Sequence, residues 1–323
     1  MRYARIKISA LIFAAILLLS QSKVAGQGWG AIELIAPPGV SGGWTFPFSR
    51  PSYLGAAALV ADNGVWFLET GNNGLRLKSY ETYEEAIRVS RGDINGDGRQ
   101  DVAVALRESS DVRLIIGQEN GEPLIIERKL SPKQVHHVGV VDINGDGLGD
   151  LVVADSAEIT IFIQERNEAI FTFLAEFNRI APYEQNPLTS TEFLFGDYDG
   201  NQKKDFIFSG VLYLNLGNGY FVPKRVPVFG TETTIRRLDI VANVDGDSKT
   251  ELLFVRGNSS IETNPPCELV AADYNTEKIF VEGLSIELGT LDVSKAMADD
   301  FNGDGFTDIM LSSFPEGLIA LLT

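Results

Sequence analysis

A nine-residue acidic pattern recurs five times along the chain and constrains its fold more than any other feature. In each copy, side chains with oxygen atoms stand at positions 1, 3, 5 and 9, and glycine stands at position 4. The glycine predicts a backbone turn with positive φ at that position. Successive copies begin 49, 55, 46 and 57 residues apart, the length of a supersecondary unit of about four strands. We name the copies loop 1 to loop 5; they span residues 93–101, 142–150, 197–205, 243–251 and 300–308.

Each loop is followed at once by a short apolar run, which is typical of a buried β-strand. In several units a second apolar run follows after a short break, so loop, strand, turn and strand form the common unit. Residues 58–68 align with residues 151–161 and predict a further unit without an acidic loop. The apolar runs directly after loops 1 to 5 are residues 102–106, 151–154, 206–208, 252–255 and 309–311, and the second apolar runs after loops 1 to 3 are residues 112–116, 158–163 and 211–216.

The repeat length predicts an all-β chain folded as a single β-propeller over residues 27–323. Dividing these residues by a mean spacing of about 52 favours six four-stranded blades, although seven are possible. The last unit starts at Asp300, and 24 residues are too few for four strands. We therefore expect residues 27 to about 50 to complete it, so that strands from both termini close the ring and remove its unpaired edges.

The N-terminal segment has the pattern of a secretory signal peptide. Basic residues precede an apolar stretch over residues 8–19, and Val24, Ala25 and Gly26 provide small side chains for cleavage. The apolar stretch is shorter than the roughly 20 residues that a membrane anchor needs. We predict that residues 1–26 are removed and that the mature protein is secreted or periplasmic.

The charge of the chain excludes several classes of partner. Its 44 acidic and 27 basic residues give a net charge of −17, which argues against nucleic acid and anionic membranes as partners. A single cysteine forms no intramolecular disulfide, and with two histidines it cannot complete a zinc site of four nitrogen or sulfur ligands.

The acidic loops match the ligand preferences of calcium. Four side-chain oxygens and a backbone carbonyl at position 7 suit a hard cation, and Ca²⁺ tolerates irregular geometry better than Mg²⁺. An EF-hand would need glutamate at position 12, where all five copies carry an apolar residue. We predict up to five calcium ions, held by Asp93, Asn95, Asp97 and Asp101; Asp142, Asn144, Asp146 and Asp150; Asp197, Asp199, Asn201 and Asp205; Asn243, Asp245, Asp247 and Glu251; and Asp300, Asn302, Asp304 and Asp308.

The five loops are unequal. Position 6 is glycine in loops 1, 2 and 5, but Gln202 in loop 3 and Ser248 in loop 4. Loop 3 also carries two lysines, while loop 4 starts with Asn243 and ends with the longer Glu251. We therefore expect loops 3 and 4 to bind calcium most weakly.

The Asp-x-Asn-Gly-Asp-Gly-x-x-Asp loop resembles the FG-GAP/VCBS-type repeat and is similar to the calcium loops of integrin α propellers. The resemblance covers the chain from about residue 50 onward. It implies a calcium-bound propeller in an exported protein that acts in recognition or adhesion, without implying one ligand. Some lectins and polysaccharide lyases use similar propellers, so the fold alone does not decide the function.

No catalytic constellation accompanies the loops. His136 and His137 lack an activated serine or cysteine pattern, and Cys267 is expected to be a buried or loop residue. We favour a non-enzymatic module that recognises a protein or glycan. The alternative is a carbohydrate-active enzyme or lectin subunit, for which Trp29, Trp44 and Trp66 could stack on sugars.

Overall fold

A computed structural model of the chain describes part of its length, with every described element a β-strand. The all-β prediction is therefore confirmed. The signal peptide prediction lies outside the described residues. The structure describes residues 44–45, 57–61, 64–71, 74–81, 86–98, 101–118, 124–130, 134–165, 170–182, 192–227, 234–257, 267–289, 293–299, 308–313 and 319–322.

The chain divides into two compact units, one ending at Arg179 and the other starting at Ile180. The first unit contains three antiparallel sheets of four strands, each built in chain order. They comprise β1 (Trp44–Thr45), β2 (Ala57–Ala61), β3 (Gly64–Gly71) and β4 (Gly74–Glu81); β5 (Ala86–Gly92), β6 (Asp101–Leu106), β7 (Asp111–Ile116) and β8 (Leu124–Lys129); and β9 (His137–Val141), β10 (Asp150–Ala154), β11 (Glu158–Glu165) and β12 (Ile170–Asn178).

The second unit contains two antiparallel sheets of four strands and, within the described residues, one of three. They comprise β13 (Leu194–Gly196), β14 (Asp205–Phe208), β15 (Val211–Gly217) and β16 (Tyr220–Arg225); β17 (Thr234–Ala242), β18 (Glu251–Gly257), β19 (Cys267–Asn275) and β20 (Ile279–Gly289); and β21 (Val293–Asp299), β22 (Asp308–Ser313) and β23 (Ile319–Leu322).

The second strand of each loop-bearing sheet is the apolar run that the sequence predicted. All residues of β6, β10 and β14 are buried, as expected for strands covered on both faces. The fourth strands β8 and β16 mix exposed and partly buried residues instead. In these two sheets, burial therefore falls from the second strand to the fourth.

Neighbouring sheets within each unit share a hydrophobic core. In the first unit, Ala103 and Leu114 of one sheet pack in one cluster with Val140 and Leu151 of the next. In the second unit, Ile207 and Leu212 pack in one cluster with Leu252 and Phe254. Burial of this apolar surface fixes one sheet against its neighbour and places their acidic loops side by side.

The N-terminal part of the chain departs from one expectation. Trp44 and Thr45 pair with Leu59 and Ala58 of β2, so this segment belongs to the first sheet. The rest of the segment expected to complete the last blade, residues 27–43, lies outside the described residues. No helix in the described part of the chain is long and apolar enough to cross a bilayer.

Candidate metal centres

Each described acidic loop connects the first strand of its sheet to the second. Loops 1 to 4 follow β5, β9, β13 and β17, and position 9 of each is the first residue of the next strand. In loop 5 the ligand candidates Asp300, Asn302 and Asp304 lie outside the described residues, while Asp308 starts β22. The sequence therefore predicted correctly that each of these loops leads directly into a β-strand.

The glycines at position 4 adopt the left-handed backbone conformation that the sequence predicted. Gly96, Gly145, Gly200 and Gly246 have φ between 72° and 81°. Gln202, at position 6 of loop 3, also has a positive φ of 66°. Because a side chain is strained in this conformation, loop 3 carries a local cost that glycine avoids in loops 1 and 2.

The first carboxylate of a loop holds the turn together. In loop 2, Asp142 Oδ1 accepts hydrogen bonds from the backbone N–H groups of Gly145 at 2.7 Å and Asp146 at 3.0 Å, and its Oδ2 accepts one from Gly147 at 2.9 Å. Asp197 makes the equivalent three bonds in loop 3. These bonds curl the backbone of each loop around the oxygens of its first carboxylate.

The loop asparagines link neighbouring ligand candidates. Asn144 Nδ2 donates to Asp146 Oδ2 at 3.1 Å, and Asn95 makes the same bond to Asp97. In loop 3, Asn201 Nδ2 donates to Asp199 Oδ2 at 3.2 Å. Each amide thus offsets part of the repulsion between crowded carboxylates.

The ninth-position carboxylate has a structural role that the sequence did not show. Asp150 is fully buried, and its Oδ2 accepts the Ile143 N–H at 2.9 Å while its Oδ1 accepts the Gln164 N–H of β11 at 2.8 Å. Asp101 and Asp205 repeat this arrangement with two backbone N–H groups each. The carboxylate therefore connects its own loop to the third strand of the sheet or, for Asp101, to the residue just after that strand.

Burial changes the acidity of these ninth-position groups. Burial raises the pKa of Asp101, Asp150 and Asp205 from 3.8 to about 7. The backbone N–H donors lower these pKa values, and nearby carboxylates of the same loop raise them. Burial likewise raises the pKa of Glu251 to about 7. Without a cation, the ninth-position carboxyls of loops 1 to 4 therefore titrate near neutral pH.

Three carboxylates converge in loops 3 and 4. Oxygens of Asp197, Asp199 and Asp205 lie within 4.8 Å of one another, and so do oxygens of Asp245, Asp247 and Glu251. Both loops have an aspartate at position 3, where loops 1 and 2 have asparagine. The two loops expected to bind most weakly thus bring three acidic oxygens together, and their weaker binding stays a prediction.

Adjacent loops within each unit are joined by backbone hydrogen bonds. The Gly149 N–H of loop 2 donates to the Asp93 carbonyl of loop 1 at 2.7 Å, and the Thr250 N–H of loop 4 donates to the Asp197 carbonyl of loop 3 at 2.8 Å. Thr250 Oγ1 also accepts the Asp197 N–H at 3.1 Å. In loop 2 the glycine at position 8 permits this approach, because a Cβ at position 149 would lie 2.8 Å from the Asp93 carbonyl oxygen. In loop 4 the space is provided by Gly196 instead, since a Cβ there would lie 2.6 Å from the Thr250 side chain.

The histidines and the cysteine considered for catalysis lie at the start of a strand or just before it. His137 starts β9, and the His136 ring faces Gln134 Oε1 at 3.4 Å. Cys267 is buried at the start of β19 with a free thiol. The cysteine lies where the sequence placed it, among buried residues.

Comparison with known proteins identifies one repeat. Residues 142–208 match the model of the FG-GAP-like repeat, and this match runs from the start of loop 2 to just beyond loop 3. A search of curated proteins found no significant relative. A solved structure described as the basis of specific recognition of non-reducing terminal N-acetylglucosamine by an Agrocybe aegerita lectin is similar at 12% identity and a TM-score of 0.48, covering 79% of this chain and 72% of that one. The resemblance to the FG-GAP/VCBS repeat family is thereby confirmed for residues 142–208, which form an FG-GAP-like repeat with an acidic loop at each end.

Proposed function

We propose that the protein is a calcium-binding β-propeller in which the metal stabilises the fold. The observation that carries this proposal is the convergence of three carboxylates in loop 3 and in loop 4, within loops of one recurring backbone shape. The FG-GAP-like repeat at residues 142–208 supports it, because two acidic loops lie at the ends of that repeat.

The donor set favours Ca²⁺ over other cations. Carboxylate and amide oxygens from positions 1, 3, 5 and 9 provide hard ligands, and the described loops contain no histidine or cysteine. Loop irregularity, such as asparagine at position 1 in loop 4 and at position 3 in loop 2, suits the flexible coordination of calcium. The bound ion would neutralise carboxylates that burial and mutual repulsion otherwise make costly to ionise.

We further propose that the sheets are blades of one ring. Six sheets occur among the described residues, and each follows the chain order expected of a blade. A six-bladed propeller accounts for the repeat length of loops 1 to 5. A crystal structure that showed a different number of blades, or two separate domains, would refute this part of the proposal.

The function that fits such a ring is recognition of a protein or glycan by an exported, non-enzymatic protein. This assignment rests on the repeat family and on the use of the clustered carboxylates for metal binding and loop structure. A glycan array and a pull-down from the native secretome, each with calcium and with chelator, test it. Turnover of a polysaccharide would instead favour a carbohydrate-active enzyme.

Calcium removal tests the central proposal. The mature chain, freed of metal on a chelating resin, is titrated with Ca²⁺ in a calorimeter, with Mg²⁺ as the control ion, and its thermal unfolding is followed with and without calcium. At about ten times the dissociation constant each site adds roughly 1.4 kcal/mol to the free energy of unfolding, so several sites shift the melting temperature by many degrees. An unchanged melting temperature together with no calcium by elemental analysis would refute the proposal.

A further inference from the structure

Loop 4 differs from the other described loops in the environment of its ninth residue. Glu251 is 1% exposed, and its Oε2 accepts the Val244 N–H at 2.7 Å. Its Oε1 is buried and has no hydrogen-bond partner. In loops 1 to 3 the corresponding second oxygen accepts an N–H group from the third strand of the sheet or, in loop 1, from Gly117 just after it. Glu251 therefore keeps one buried oxygen available for a cation.

The third strand of this sheet also carries an additional carboxylate beside loop 4. Leu252 pairs with Ala272, so Asp273 on β19 is the residue next to Glu251 in the register. The same register places Ile116, Ile163 and Leu214 at this position in the three preceding loop-bearing sheets. An acidic side chain thus replaces an apolar one only at loop 4 among the described sheets with an acidic loop.

The charges of this group act on one another. Burial raises the pKa of Asp273, and Asp245 and Asp247 raise it further, whereas Lys249 lowers it. Asp273 in turn contributes to the raised pKa of Glu251. Both directions are those expected of carboxylates on adjacent strands, where the register places Asp273 next to Glu251.

The neighbouring strand leaves space for this carboxylate. A Cβ atom at Gly283 on β20 would lie 2.7 Å from Asp273 Oδ2. Any other residue at position 283 would displace the carboxylate, because real Cβ contacts are not that short. The glycine thus permits the observed position of Asp273.

We propose that Asp273 acts as a fourth carboxylate beside the loop 4 cation site, next to the three whose oxygens lie within 4.8 Å of one another, and replaces the charge that Asn243 lacks at position 1. The proposal rests on the proposed calcium function and deepens it. With Glu251 Oε1 unpaired, the site has a free buried oxygen and the additional negative charge of Asp273. Loop 4 is then a stronger calcium site than loop 3, which revises the expectation from its sequence.

The test is calorimetric titration of the metal-free mature chain with Ca²⁺. Asp273→Asn is expected to weaken one site about tenfold, since one charge near a divalent ion is worth about that much. Glu287→Gln is the matched control: it removes one charge from exposed Glu287, opposite Glu268 on the same pair of strands, and is expected to change each affinity less than twofold. A chain carrying both Asp245→Asn and Asp247→Asn loses the loop 4 site, and adding Asp273→Asn to it should change nothing further.

A second variant keeps the charge but moves it. Gly283→Ala is expected to weaken the same site, with circular dichroism of the metal-free chain confirming that both variants fold. The inference is overturned, while the calcium function stands, if Asp273→Asn leaves every calcium affinity within twofold of the wild type. The same holds if Asp273→Asn weakens a site in the chain in which Asp245→Asn and Asp247→Asn have already removed the loop 4 site. If the wild-type chain binds no calcium, both the proposed function and this inference are overturned.

Discussion

The buried ninth-position carboxylates predict an unusual dependence of stability on pH when the protein is free of metal. Asp101, Asp150, Asp205 and Glu251 are at most 1% exposed, and burial raises the pKa of each to about 7. In the unfolded chain these carboxyls titrate near pH 4. The native state thus binds more protons than the unfolded state between about pH 4 and pH 7. The free energy of unfolding must therefore fall as pH rises through that window.

The size of the effect follows from the shift. For Asp150, a rise from 3.8 to about 7 corresponds to about 4 kcal/mol lost once pH exceeds the native pKa. Four such groups together would remove as much as the net stability of an ordinary domain, which is about 5–15 kcal/mol. We expect the metal-free chain to be marginally stable at pH 8 and stable at pH 5, with calcium restoring stability at pH 8.

Urea unfolding at pH 5, 6, 7 and 8 measures this dependence after metal removal on a chelating resin. Asp150→Asn cannot titrate, so its loss of stability between pH 5 and pH 8 should be smaller than that of the wild type by about 3 kcal/mol, which is the part of the effect that falls between pH 5 and the native pKa. Glu165→Gln removes an exposed charge from β11 of the same sheet and should keep the wild-type pH profile, because Glu165 is not among the carboxylates that raise the pKa of Asp150. A metal-free stability that is constant or increases from pH 5 to pH 8 would refute the reasoning.

Two further substitutions probe the loops. Gln202→Gly should raise the free energy of unfolding by about 1 kcal/mol, because glycine adopts the positive φ of this position without strain. Gln202→Ala should give no such gain. Thermal unfolding in calcium compares the two variants, and equal stabilities would contradict the strain argument. Thr250→Val should lower the free energy of unfolding by about 1 kcal/mol, because the Asp197 N–H loses its hydrogen-bond acceptor. Thr250→Ser retains that acceptor and is the control. If the valine variant is as stable to urea as the serine variant, this hydrogen bond contributes nothing to stability.

Much of the architecture was predictable because its signals are local and repeated. The oxygen-bearing residues, the glycines and the apolar run after position 9 occur within about fifteen residues, and repetition separated them from chance. Left-handed glycines and loop positions followed from that pattern and are confirmed in the four described loops. The pairing of residues 44–45 with β2 was not predictable, because a two-residue strand carries too little pattern to select a partner.

The sequence by itself determined the all-β class, the repeat and the oxygen-rich loops, since each depends on side-chain chemistry and short-range periodicity. Only the tertiary structure decided which distant groups meet: Asp150 with the Gln164 N–H, Gly149 with the Asp93 carbonyl, and Asp273 beside Glu251. These contacts join residues 14 to 56 positions apart. They depend on strand register and on the packing of one sheet against the next, which no local pattern encodes.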